Sequence, residues 1–165
     1  MNLLRRFFRR KPKKLVREFP LRCFPEGKTY HLQQIFDQIN TTYFENKIPP
    51  LPITWFGTPK TSAKRHRLLG YYHNEKKFIK IHRLLDQPQF PDYFISYIVY
   101  HEMLHYLYPP IHESGRKRRI HHRAFKEQER RFGEYAIAKK WEKEQLWQVI
   151  ANGQTSSTAK EKRTP

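Results

Sequence analysis

A single cysteine, Cys23, in 165 residues excludes an internal disulfide framework and any zinc ribbon or other site built on several thiolates. Acid is also scarce. There are 15 Asp plus Glu against 33 Lys plus Arg, a formal charge of +18, which favours anionic partners over cationic ones. Long hydrophobic runs are missing too. The most apolar window, residues 94–108, is interrupted by Ser96, His101, Glu102 and His105 and is too short to cross a bilayer. No secretory hydrophobic region follows the basic N-terminus, because Pro12, Lys13 and Lys14 break it. These absences lead us to expect a soluble cytoplasmic protein without a transmembrane segment. Only 38% of residues are hydrophobic, yet 12 Phe, 10 Tyr and 3 Trp supply enough burial area to argue against a wholly disordered chain. The length suits one compact domain.

The positive charge is unevenly spread. Residues 1–17 hold Arg5, Arg6, Arg9, Arg10, Lys11, Lys13, Lys14 and Arg17 and no acid, and a second cluster is Arg116, Lys117, Arg118 and Arg119. Such blocks repel themselves and attract polyanions. Arg5, Arg6, Arg9, Arg10 and Lys11, with the 116–119 cluster, are therefore candidate nucleic-acid contacts. Solvation alone and an anionic membrane surface are the competing readings. The expected organisation is a basic, partly disordered N-terminal segment over 1–28, a folded domain over 29–150 and a disordered Ser/Thr/Lys-rich tail over 151–165.

Within that domain, Leu32, Ile35, Phe36, Ile39 and Tyr43 recur at helical spacing. They predict an amphipathic helix over 30–46, with Thr29 as N-cap and Pro49-Pro50 as a stop. Leu51, Ile53 and Trp55 alternate as in a half-buried strand, and 68–73 and 78–82 read as a hairpin around Asn74–Lys77. Residues 92–108 are apolar almost all round, as in a buried helix, and Pro109-Pro110 ends it. A last helical region over about 121–148, divided near Gly133, presents Phe125, Phe132, Ala136 and Trp141 inward. Trp147 is a further packing candidate.

The buried helix carries His101-Glu102-Met103-Leu104-His105. Histidines at i and i+4 lie on one helix face and can bind one metal ion. Glu102 sits about 100° round the helix, placed to take a proton from metal-bound water. Zinc brings the pKa of such water to about 7 in catalytic sites. Two histidines and a glutamate on an apolar helix are costly to bury without a partner, and a metal with its water supplies one.

A catalytic zinc usually takes three protein ligands. The extended pattern with Gly and a third His close behind fails, because Tyr108 and Ile111 occupy those positions. His121 and His122 then compete. His121 shares a helical face with Phe125, Gln128 and Phe132 and is preferred; His122 shares one with Lys126, Glu129 and Arg130. His112, Glu113, Glu127 and Glu129 are weaker alternatives. Oxyanion donors are open among Tyr106, Tyr135 and the arginines of the 116–119 loop. His31, His66, His73 and His82 read as solvated. The 78–82 strand is a candidate for the sheet edge that pairs with an extended substrate backbone.

With these residues in place, the chain resembles the SprT-like zinc metallopeptidases, the group that includes Spartan, the protease for DNA–protein crosslinks. The resemblance spans about residues 30–145. It rests on Tyr43-Phe44 ahead of Leu51-Pro52-Ile53 and Trp55, on Gly70-Tyr71-Tyr72, on the His101–His105 motif, and on His121 followed four residues later by Phe125. It implies a small α+β fold of minimal zincin type, with a short antiparallel or mixed sheet packed on helices. It also implies one Zn²⁺ held by His101, His105 and His121, with Glu102 as general base for peptide hydrolysis. The Cys-rich ribbon common in the family cannot be built from one cysteine. Nucleic-acid contact, and action on proteins bound to nucleic acid, would then fall to the basic segments. The competing class is a non-enzymatic nucleic-acid-binding protein with a structural zinc site.

Overall fold

A computed structural model of the chain describes residues 22–59, 68–112, 115 and 117–152. Chain order is α1 (Leu32–Phe44), β1 (Ile53–Phe56), β2 (Gly70–His73), β3 (Phe78–His82), a 3₁₀ turn at Arg83–Leu85, α2 (Asp92–Leu107), α3 (Arg123–Glu129) and α4 (Tyr135–Glu144), with residues 146–152 again helical. The architecture is α+β, as expected of a minimal zincin, and its sheet is small and mixed.

α1 buries Leu32, Phe36, Ile39, Asn40 and Phe44, one face of a 3.6-residue repeat. Its cap is His31, whose side chain accepts from Gln34 N–H, and not Thr29. Thr29 is diverted because the Asp86 carboxylate accepts the N–H groups of Lys28, Thr29 and Tyr30. The helix stops before the prolines, at Glu45 and Asn46, both in the left-handed conformation. The buried Asn40 amide bonds Ile48 in both directions and fixes this exit.

The sheet order is β1-β3-β2, with β1 parallel and β2 antiparallel to β3. β3 is thus the central strand, which corrects the expectation that 78–82 forms a free edge; β1 and β2 flank it as the edge strands. Alternation sends Tyr72 toward α2, against Tyr106, and Tyr71 to the opposite face, against Phe56 and Phe78. The hairpin turn closes where His73 O accepts Lys77 N–H, with Lys77 left-handed.

α2 lies at the centre and packs on α1, β2, β3, α3 and α4. It buries Phe94, Ile95, Tyr97, Ile98, Val99, Tyr100, Met103 and Leu104 together with Glu102. At about 1.5–3 kcal/mol for each fully buried apolar side chain, that packing outweighs several-fold the cost of enclosing one carboxyl group. Burial on all sides is what allows the helix to carry Glu102 inside.

After α2, Ile111 and Arg119 exchange backbone hydrogen bonds of 3.0 Å, which returns the loop to the domain. The C-terminal region breaks between α3 and α4, where Gly133 N–H donates to the Tyr43 hydroxyl. That break resets the helical phase, so Ala138 and not Ala136 joins Phe125, Phe132 and Trp141 in the core. Trp147 is 43% exposed and anchors less than the sequence suggests.

Candidate metal centre

His101 and His105 project from one face of α2, and His121 arrives from the loop just ahead of α3. His121 is not on the helix: His122 is the N-cap and α3 begins at Arg123. Each of His101, His105 and His121 offers a ligand atom, and these atoms lie within 4.8 Å of one another. The Nε2 atoms of His105 and His121 are 3.3 Å apart. The fully buried ring of Phe125 lies 4.7 to 5.1 Å from all three imidazoles and forms their floor. The arrangement could hold a metal ion.

The charge states suit such a role. Burial pushes His105 down to about 3, and the neighbouring His101 and His121 add to the effect. His121 is lowered by burial and by His101 in the same way. Both imidazoles are therefore neutral at pH 7 and keep a lone pair. Burial raises Glu102 to about 7, against the opposing pull of His101 and a backbone hydrogen bond from Tyr72. A carboxyl group held there can both accept and return a proton near neutrality. Gly70 makes room for it: a Cβ at that position would stand 3.0 Å from Glu102 Oε1.

Two recesses meet at this point, of about 390 and 310 Å³, and both are lined by Leu68, Gly70, His101, Glu102 and His121. They form one continuous cleft with the triad at its middle and the β2 edge along one wall. Leu68 and Ile120, 57% and 47% exposed, give it apolar walls. A third groove, of about 490 Å³, runs past His121 and is flanked by Arg119, Arg123, Lys126 and Arg130.

The remaining candidates fall into place around the cleft. Lys117, Arg118 and Arg119 are exposed, and Arg118 lines the smaller recess. Tyr106 packs on Tyr72, and Tyr135 packs on Tyr97. Glu127 pairs with Arg123 at 2.7 Å on the surface. Glu129 turns inward to His101, a contact across 28 residues that no local sequence pattern announces. His31, His73 and His82 accept backbone N–H groups at a helix cap and two turns. Arg5, Arg6, Arg9, Arg10, Lys11, His66, Glu113 and Arg116 lie outside the described residues.

A family model, that of the SprT-like family, matches residues 32–145. The chain belongs to the SprT-like family. No curated protein and no solved structure is matched by the chain. The SprT-like match begins at the first residue of α1 and ends just past α4, so it takes in the sheet, the HExxH helix and the loop that delivers His121. Among the described residues, no helix of this SprT-like domain is long and apolar enough to cross a membrane.

Proposed function

We propose that this SprT-like domain is a zinc metallopeptidase in which His101, His105 and His121 hold one Zn²⁺ and Glu102 is the general base. The observation that carries this reading is the meeting of three imidazoles beside a buried carboxylate in one open cleft. Two nitrogens bound tetrahedrally at 2.0–2.1 Å from zinc stand about 3.3–3.4 Å apart, and His105 Nε2 and His121 Nε2 are separated by 3.3 Å. When bound there, zinc would act as a Lewis acid, polarising a carbonyl and acidifying water.

The chain's own residues supply the rest. Glu102 takes the proton of the attacking water as the new C–O bond forms at the scissile carbonyl. It returns that proton to the amine nitrogen as the C–N bond breaks. The free edge of β2 pairs with an extended polypeptide, whose side chains meet Leu68 and Ile120. Arg118, which lines the smaller recess, donates to the developing oxyanion. Arg118 lines this cleft, and Arg119, Arg123, Lys126 and Arg130 flank the groove beside it, so polypeptide held on nucleic acid is the substrate class we favour. In the non-enzymatic alternative, a fourth protein ligand would close the metal site.

Hydrolysis of an unfolded polypeptide should disappear on chelation and return when Zn²⁺ is restored. Duplex DNA carrying a bound test protein should raise cleavage at low salt and lose that effect as salt rises. Cleavage that persists without metal would reject the zinc chemistry. Cleavage indifferent to DNA would remove the nucleic acid and leave the peptidase.

A further inference from the structure

His101 Nδ1 lies 2.7 Å from Glu129 Oε1, and the same carboxylate oxygen accepts the Tyr97 hydroxyl at 2.7 Å. Glu129 is the last residue of α3, while Tyr97 and His101 are one turn apart on α2. One carboxylate therefore grips two successive turns of the helix that carries the metal-ligand motif. Beside it, the Tyr100 hydroxyl donates to Gln128 O at 2.7 Å, so the end of α3 is tied to Tyr97, Tyr100 and His101 of α2. Both partners are largely enclosed, with side-chain exposures of 23% for His101 and 12% for Glu129.

The chemistry of this contact is one-directional. As a carboxylate, Glu129 offers Oε1 to the Tyr97 hydroxyl and to His101 Nδ1. It is an acceptor only. The proton of a neutral His101 must then sit on Nδ1, which leaves the Nε2 lone pair for the metal. A ring free to rotate or change tautomer would present that lone pair only part of the time.

We propose that Glu129 is the positioning carboxylate of the metal centre, fixing the tautomer and ring orientation of His101 so that Nε2 meets the ion alongside His105 and His121. This rests on reading the triad as a zinc site. Glu129 is not itself a ligand. Its Oε1 is occupied by His101 and Tyr97, and the convergent donors among the described residues are the three histidines.

The test is zinc affinity by chelator competition on the full chain, comparing wild type with Glu129→Gln, Glu129→Ala, Tyr97→Phe and His101→Ala. It is paired with melting of the metal-free proteins and the visible spectrum of the Co²⁺ forms. Partners of this kind are worth about 10–100-fold in metal affinity. Glu129→Gln, which keeps the shape, should lose about tenfold and Glu129→Ala approaching 100-fold. The Co²⁺ bands should shift, and metal-free Glu129→Gln should melt close to wild type. Tyr97→Phe, which removes one of the two hydrogen bonds to Oε1, should fall between wild type and Glu129→Gln. Unchanged zinc affinity in Glu129→Gln and Glu129→Ala, or lowered melting with unchanged affinity, would overturn the proposal and leave Glu129 a helix-docking residue. Wild type binding zinc no better than His101→Ala would instead remove the zinc site, and this role with it.

Discussion

Replacing His105 with alanine is expected to weaken zinc binding on the order of 10²–10³-fold, since one ligand carries roughly a quarter of an apparent binding energy of about 10–16 kcal/mol. His105 closes a nearly equilateral triangle, its ring centroid 5.0 Å from those of both His101 and His121, which are 4.8 Å from each other. Held down to about 3 by burial and its imidazole neighbours, it has no proton to release at pH 7, so its whole affinity is available to the metal. Alanine removes the donor and opens a gap above Phe125. His122→Ala is the matched control, because His122 caps α3 and its ring lies beside Tyr108 instead. Its zinc affinity should stay within a factor of a few of wild type. Calorimetric titration of both variants decides the matter; equal losses would mean that His121 is not the third ligand.

The second large effect concerns stability. In the metal-free protein, Glu102→Gln is expected to stabilise the fold by about 3 kcal/mol at pH 8 and by almost nothing below pH 4.5. The sign follows from the direction of the shift. The folded-state pKa of Glu102, about 7 against an ordinary 4.5, means that the folded protein binds the proton more tightly than the unfolded chain does. The stabilising contribution is fully present below pH 4.5 and is lost as pH rises through 7. Glutamine imitates the protonated form and never ionises, so its advantage grows over that interval. Denaturant unfolding of chelator-treated protein at pH 4.5 and pH 8 checks this. A difference independent of pH would mean that Glu102 is not enclosed as described.

Much of the site was legible because its signals are local. The His101–His105 spacing places two imidazoles on one face whatever surrounds them, and an apolar run ended by Pro109-Pro110 marks α2 as a buried helix. The β2–β3 hairpin announces itself by the polar Asn74–Lys77 turn between two short apolar segments. What failed was set by distant partners. Four- and five-residue strands alternate alike at edge and centre, so their pattern does not mark β3 as the central one. Against β2, the central strand is set apart by burial: Phe78, Ile79 and Ile81 are enclosed on β3, whereas β2 buries Gly70 alone. Extending one helical phase through Gly133 selects Ala136, but the helix restarts there and Ala138 is buried instead. Helical spacing points to His121 through a face it does not occupy; it lies in the loop that the Ile111–Arg119 pairing returns to the domain. Asp86 claims Thr29 from 57 residues away, and Glu129 reaches His101 from 28 residues away. Neither has a periodic signature.

The most direct measurement is the appearance of new amino termini from an unfolded polypeptide, read by mass spectrometry. Wild type and Glu102→Gln would be loaded with equal zinc. Removing a general base costs about 10²–10⁴-fold, while the three histidines stay in place. A zinc peptidase of this design must therefore cut with the wild type and fall at least about 10²-fold with the variant at unchanged metal content. Equal cleavage by both, or none by zinc-loaded wild type, would contradict the assignment of Glu102 and with it the reading of this cleft as a peptidase centre.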